Sequence, residues 1–250
     1  MDEEFKFSPS FYDATGIVGQ SLCALRAASK GSTSVGIVAP DCVVIATATR
    51  KSSVLMEPRR VPHVAPIDLM TGMTYSGLSG DFRTLKKHAQ KCSNNNNLSN
   101  GLAAEVSHMA HSMAIVMQEY TQISSARPFG VSLLIAGCDR GGVPHLYNCS
   151  ATGSHFPRKA IALGRNADIC TNFLEQRCSE NLRVEDAIST ALLALKTGYE
   201  KKQPEGDEKG GAEEERPMPT DVIEIGIAYP EGFECLDFRH VDEFYADLAR

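Results

Sequence analysis

The stretch Arg127-Pro128-Phe129-Gly130 runs directly into the apolar segment Val131-Ser132-Leu133-Leu134-Ile135. Proline has no backbone N–H and disfavours helical geometry in the residue before it, so the chain must leave any helix before this apolar segment begins. Just upstream, Met117-Gln118-Glu119-Tyr120-Thr121-Gln122 ends a segment with apolar residues at helical spacing. The sequence therefore predicts a helix, a break and a buried strand in direct succession.

Composition limits the class of protein. A chain of 250 residues can bury one large core, and no linker divides it, so we expect a single domain over 1–250. The net charge of -6 without clustered Lys and Arg argues against a nucleic-acid partner. The acidic start and the lack of a long apolar run predict an intracellular protein with no membrane partner. Eight cysteines without a Cys-x-x-Cys pair predict reduced thiols in or near the core.

The periodicity of apolar residues predicts the elements of the first half of the chain. They are a helix over about 16–30 with Asp13 or Thr15 as cap, a hairpin of Ser34–Val38 and Cys42–Thr47, a strand Met73–Ser76, a helix Asp81–Lys91, a loop Ser93–Asn97, and a helix Leu102–Tyr120.

The second half continues in the same order of strands and then helices. The predicted elements are strands Val131–Cys138 and Pro144–Cys149, helices Ala167–Ser179 and Val184–Glu200, a mobile surface loop Lys201–Pro219, a last strand Val222–Ala228, and a short helix Val241–Leu248. Hairpins alternating with helix pairs favour antiparallel sheets covered by helices over a parallel βαβ series. The expected fold class is α+β.

Besides the Arg-Pro-Phe-Gly strand, two later segments carry recognisable motifs. They are Phe173-Leu174-Glu175-Gln176-Arg177 and Leu182-Arg183-Val184-Glu185-Asp186-Ala187-Ile188-Ser189-Thr190-Ala191-Leu192. Together these motifs resemble the alpha-type subunits of the 20S proteasome. The resemblance implies a four-layer α/β/β/α sandwich of the N-terminal nucleophile hydrolase fold. It also implies a place among seven subunits in an outer ring beside the beta ring, a role in ubiquitin-dependent degradation in cytoplasm and nucleus, and no cofactor or metal.

Active beta relatives expose a nucleophilic Thr by cleavage after a Gly, and a Lys and an Asp assist it. Gly31-Ser32-Thr33 offers such a cleavage point, and the alternative function is a self-processed amidohydrolase with Ser32 or Thr33 as nucleophile. The expected Asp position falls at Ala48 or Thr49, and the expected Lys position at Val64 or Ala65. The resemblance thus implies a subunit without catalytic residues.

In the resembled subunits, the segment before the first helix helps to close the axial pore. Residues 1–15 occupy that place, and the gate residues implied here are Phe5, Lys6, Phe7, Ser8, Pro9, Tyr12 and Asp13. Four aromatic residues between Phe5 and Gly16 are unusual for a disordered tail, although a frayed terminus is the alternative. Phe5 replaces a common Tyr and cannot donate a hydroxyl hydrogen bond.

The family also binds the C-terminal tails of the regulatory particle or other activators in pockets between alpha subunits. The matching positions are Val18, Gly31, His63 and Leu78, where His63 replaces a lysine. An ordinary imidazole is only about one-quarter protonated at neutral pH, so it binds a carboxylate less reliably than an ammonium does. We expect weakened docking here; the alternative is that His63 is simply a surface histidine.

Histidines elsewhere do not predict a metal site. His108 and His111 share a helical face, but no carboxylate or cysteine at a matching spacing completes a ligand set. The methionines of the same helix fit a core stripe, and Gly141-Gly142 fits a turn, because no phosphate-loop or dinucleotide pattern surrounds it.

Overall fold

The computed structural model describes residues 12–13, 16–49, 55, 61–123, 125–179, 182–200, 223–236, 241 and 244. Within them the elements follow in the order α1 Gly19–Ser29, β1 Thr33–Val38, β2 Val43–Ala48, β3 Val64–Pro66, β4 Thr71–Gly77, α2 Ser79–Asn100, α3 Val106–Gln122, β5 Val131–Cys138, β6 Pro144–Cys149, β7 His155–Pro157, β8 Ala160–Leu163, α4 Ala167–Arg177, α5 Val184–Glu200, β9 Ile223–Tyr229 and β10 Gly232–Cys235. The Lys201–Pro219 loop, the Phe5–Pro9 gate residues and most of the expected helix Val241–Leu248 lie outside the described residues.

The strands form two five-stranded sheets. The first has the order β10-β9-β2-β1-β8 and the second β3-β4-β5-β6-β7, and the strand pairs are antiparallel. Helices α4 and α5 pack on the first sheet, while α2 and α3 pack on the second. The four layers α/β/β/α and the α+β class expected from the sequence are confirmed.

Strand β2 shows why the sequences of the central strands are apolar at successive positions. Val44 and Ala46 point to the helices α4 and α5, whereas Val43 and Ile45 point to the second sheet. Because both faces of the sheet are covered, alternate side chains enter different cores and none is left for solvent. The hairpin of β1 and β2 predicted from the sequence is confirmed, with Thr33 paired to Ala48.

A buried chain of hydroxyl groups joins the two sheets. The Ser34 Oγ lies 2.9 Å from the Thr47 Oγ1, which lies 2.6 Å from the Thr74 Oγ1. Ser34 also donates to the carbonyl of Tyr75 at 2.8 Å. Buried hydroxyls are tolerated because each has a partner, and the chain fixes how β1 and β2 lie over β4.

The Arg-Pro-Phe-Gly stretch joins three elements. Arg127 donates two hydrogen bonds to the Asp81 carboxylate in the first turn of α2, at 2.7 and 2.8 Å, and the Gly130 N–H donates to the same carboxylate at 2.9 Å. Phe129 packs on Tyr120 near the end of α3, with ring centroids 4.5 Å apart. One short turn therefore fixes the start of α2, the end of α3 and the start of β5.

The carboxylate of Asp81 is buried, with 12% of its side chain exposed. Burial alone would raise the pKa of Asp81, but the hydrogen bonds from Arg127 and the Gly130 N–H outweigh it and lower that pKa below its ordinary value. The folded state therefore favours the ionised carboxylate.

Helix α1 is held against the second sheet by glycines. A Cβ on Gly31 would overlap the backbone nitrogen of Gly77, and a Cβ on Gly130 would lie 3.0 Å from Leu78 and 3.3 Å from Ala27. Gly77 has a φ of +125°, a region that favours glycine. The backbone after α1 thus touches the end of β4 directly, and Ala27 of α1 lies close to Gly130, just before β5.

Helix α2 corrects one sequence-based prediction. The run Ser93–Asn97 was predicted to be a loop, but α2 continues through it to Asn100 and ends at Gly101, which has a φ of 68°. The Asn100 side chain donates to the Asn96 side chain, and Asn96 donates to the Leu102 carbonyl. Packing against α3 and these amide contacts override the low helix propensity of asparagine.

Other boundaries also differ from the predictions. Helix α3 begins at Val106, so Leu102 lies outside it and is 46% exposed. Helix α1 begins three residues later than predicted; Val18 is its N-cap, and Asp13 accepts from the Ile17 N–H ahead of the helix. The short strands β3, β7, β8 and β10 were not predicted, because three or four residues show too little alternation.

We expect Asp81→Ala to destabilise the purified chain by about 2 kcal/mol, because it leaves the buried Gly130 N–H without its acceptor. Arg127→Ala should cost less, about 0.5 to 1 kcal/mol, because the Arg127 side chain is 62% exposed. Since folding lowers the pKa of Asp81, its contribution is present above the unfolded value of about 4 and is lost as the pH falls through the lower folded value. Urea denaturation against pH measures this; equal stability of wild type and Asp81→Ala at pH 7 would contradict it.

Gly31→Ala should destabilise the chain by more than about 2 kcal/mol, because the new Cβ meets backbone that cannot turn aside. The matched control is Gly80→Ala on α2, where a Cβ meets nothing within 4 Å and helix propensity improves. Thermal unfolding of both variants measures the difference. Equal melting temperatures would show that α1 is not anchored through Gly31.

Candidate functional site

Residues 30–33 line a small cavity of about 120 Å³ at the start of β1. Its other walls come from β2, the turn after β8 and the end of α5. The lining residues are Lys30, Gly31, Ser32, Thr33, Ala48, Arg165, Gly198 and Tyr199. This is the corner where the sequence places the possible nucleophiles Ser32 and Thr33.

The surroundings of Thr33 do not activate its hydroxyl. The Thr33 hydroxyl donates to the Arg165 carbonyl at 2.8 Å, and a carbonyl oxygen cannot accept the proton as a catalytic base would. Ala48, at a position where an Asp is expected, pairs with Thr33 and brings only a methyl group to the cavity. Val64 and Ala65, at the expected Lys positions, are buried in β3.

Cleavage after Gly31 would also remove part of the fold. Ser76 in β4 donates to the carbonyl of Ala28 at 2.9 Å, and Ala24 and Ala28 pack with Ala151. The Gly31 carbonyl accepts from the Arg165 N–H at 3.2 Å. Helix α1 is thus an integrated element, which fits a retained N-terminal segment and not a discarded propeptide.

The expected activator-pocket residues are only partly brought together. Gly31 packs on Gly77, the neighbour of Leu78, and Leu78 is 47% exposed. Val18 lies at the opposite end of α1, about 16 Å away along the helix axis. Ile17 and Leu25 are also exposed, so this side of the molecule presents apolar groups.

His63 is not a surface histidine, so that alternative was wrong: 7% of the residue is exposed. Its ring stacks on Tyr75, with centroids 5.2 Å apart and planes 7° apart, and Tyr75 stacks on Phe82 of α2. The imidazole Nδ1 lies 3.0 Å from the Val61 carbonyl. The ring therefore lies beneath the surface at the edge of the second sheet, close to the start of α2.

Glu224 of β9 is a member of this cluster that sequence reasoning missed. Its Oε2 accepts hydrogen bonds from the N–H groups of His63 and Val64, at 2.8 and 2.9 Å. Burial, together with the charge of Glu224, raises the pKa of Tyr75 to about 12, so Tyr75 stays neutral. The one available signal was a charged residue between Ile223 and Ile225 in an otherwise apolar strand.

Two of the expected gate residues are described. Tyr12 is 76% exposed. The Asp13 carboxylate accepts a hydrogen bond from the Ile17 N–H, and the Asp13 N–H donates to the Ile17 carbonyl. Gate residues Phe5, Lys6, Phe7, Ser8 and Pro9 lie outside the described part of the chain.

Other reactive side chains are held in inert environments. Burial raises the pKa of the Cys149 thiol to about 12 and the pKa values of Cys42, Cys138 and Cys170 to about 11. The charge of Asp41 also raises the pKa of Cys42, and the charge of Cys42 also raises the pKa of Cys138. All eight cysteines are free thiols, and two of them, Cys23 and Cys235, are exposed. The described residues contain no group of three metal-ligating side chains and no helix long and apolar enough to cross a membrane.

A larger open groove of about 460 Å³ lies between α2 and α3. His88, His108 and Lys91 line it together with amide side chains of α2 such as Asn95 and Asn96. It contains no carboxylate, and its histidines are not part of a metal-ligating cluster in the described residues.

Comparison with known proteins agrees with this geometry. The proteasome subunit family matches residues 28–209. Proteasome subunit alpha type-2 of Drosophila melanogaster is 40% identical over 246 residues, covering 98% of each chain. Proteasome subunit alpha type-2-A of Arabidopsis thaliana is 39% identical over 248 residues, covering 99% of each chain, and a probable alpha type-2 subunit of Neurospora crassa is 38% identical over 244 residues, covering 97% of this chain and 91% of that protein. With an unactivated Thr33 and an integrated α1, this chain belongs to the proteasome subunit family, as a non-catalytic alpha-type subunit of the core particle.

Proposed function

We propose that this subunit takes the type 2 position in a ring of seven different alpha subunits and contacts the beta ring. In that place it helps to close the axial pore and to receive activators for ubiquitin-dependent degradation. The observation that carries the proposal is the anchoring of α1 by Gly31 against Gly77. An anchored helix gives the segment before it a fixed point of departure, which a gate segment requires.

The exposed apolar groups beside α1 support the docking part of the proposal. Ile17, Leu25 and Leu78 are each more than a third exposed and lie on or next to the helix. Large apolar side chains grouped at a surface are typical of protein contacts. We assign this side to a neighbouring alpha subunit and to the tail of an activator, with Val18, Gly31 and Leu78 as this chain's share of the pocket. His63, which the sequence also places there, is only 7% exposed and lies beneath the surface.

The free thiols support a location of this subunit in the cytoplasm and nucleus. All eight cysteines are unpaired, and the four fully buried thiols are protected by their raised pKa values. Unpaired cysteines in this number suit a reducing compartment.

Removing residues through Pro9 should raise the basal peptide hydrolysis of the assembled particle, because the pore loses one of the segments that close it. The measurement is the cleavage rate of a short fluorogenic peptide without activator, in particles that carry the trimmed or the full-length chain. A particle with Lys201–Pro219 shortened serves as the control for trimming elsewhere. Unchanged basal rates in the first particle would contradict the gate role of this segment.

A further inference from the structure

Two histidines from different elements meet at the surface where α3 covers the second sheet. His111 belongs to α3 and His155 begins β7, and their ring centroids are 5.5 Å apart with the ring planes tilted by 59°. His111 is exposed and His155 is partly exposed, so solvent reaches both rings. Neither imidazole makes a hydrogen bond or an ion pair with another residue in the described part of the chain. Their ring nitrogens are therefore open to a ligand from solvent.

The backbone that carries this pair is held in place by close packing. Gly153, in the turn between β6 and β7, lies so near α3 that an added Cβ would be 2.5 Å from the Gln118 Cβ and 2.8 Å from the Ala114 carbonyl oxygen. His111 lies one helical turn before Ala114, on the same side of α3. The turn that leads to His155 therefore presses directly on the part of α3 that carries His111, and the two rings are positioned by rigid elements.

A thiol close to the pair does not act as a third ligand. Cys149 is paired with His155 across β6 and β7, and its Sγ donates to the Ala110 carbonyl of α3 at 3.6 Å. The thiol is fully buried, and burial raises its pKa to about 12, so it stays protonated, whereas a metal binds the thiolate. Within the described residues, no three metal-ligating side chains come together. The pair therefore offers a metal ion two imidazole nitrogens.

We propose that His111 and His155 form a surface binding site for Zn²⁺. Two imidazoles on one tetrahedral zinc ion, each with a nitrogen about 2.0 Å from the metal, have ring centres about 5 Å apart, close to the separation of this pair. Imidazole nitrogen is a preferred ligand of zinc, and the tilt of the rings rules out parallel stacking as the reason for their contact. Water completes the coordination. The site joins α3 to β7 and is not a catalytic centre, because catalytic zinc has three protein ligands.

The experiment measures Zn²⁺ binding to the purified full-length chain by equilibrium dialysis at micromolar metal. Accessible thiols, among them Cys23 and Cys235, are alkylated first, because they also bind zinc. Wild type should bind one more zinc ion than His111→Ala or His155→Ala, and the affinity of this site should fall at least about tenfold in either variant, since one imidazole remains. Zinc should also raise the melting temperature of wild type and leave that of both variants unchanged, because only wild type binds it when folded.

His108→Ala is the matched control, because His108 is another exposed histidine of α3 that faces the groove beside α2, and this variant should bind zinc as wild type does. Melting temperatures without zinc check that each variant folds. If His155→Ala melts earlier than wild type, the comparison with the exposed His111→Ala decides the outcome. Equal zinc binding by wild type and His111→Ala would overturn the proposal. A difference that appears only at millimolar zinc would show an adventitious ion only, and it would overturn the proposal as well.

Discussion

The close approach of two glycines, Gly31 and Gly77, holds helix α1 to the second sheet. Gly31 lies against the backbone of Gly77, so the chain leaving α1 is held at the end of β4 before it enters β1. Gly130, just before β5, completes the contact. Its N–H donates to the Asp81 carboxylate, and its carbonyl accepts a hydrogen bond from the Leu78 N–H. The Arg127–Asp81 pair fixes Gly130 in turn. Helix α1, the second sheet and the start of α2 thus share one junction.

The same junction explains why the fold of a hydrolase is used here without its chemistry. A nucleophile at the start of β1 needs a free N-terminus and a nearby base. Here the residues before β1 are packed into the sheet, the Thr33 hydroxyl faces a carbonyl, and Ala48 fills an expected acidic position. Helix α1, whose packing keeps the start of β1 from being a free N-terminus, is also the element that the proposed gate segment precedes.

Much of the fold could be predicted from the sequence, because its central strands and helices carry strong periodic signals. β5, β6 and α5 have the predicted bounds, and Pro128 correctly separates α3 from β5. The short edge strands could not be predicted, since their residues gain strand geometry only by pairing with longer neighbours. Within the site, the spacing of the sequence already showed that Thr33 lacks its catalytic partners. The burial of His63 and its contact with Glu224 could not be predicted, because the two residues are 161 positions apart and meet only through the stacking of the two sheets.

The mass of this chain in the native particle shows whether the residues before Gly31 are retained. Core particles are purified and denatured, and the intact mass of this subunit is measured, with the shortened active beta subunits of the same sample as the positive control. We expect a chain that still carries α1 and the residues ahead of it. A chain that begins at Ser32 or Thr33 would contradict it.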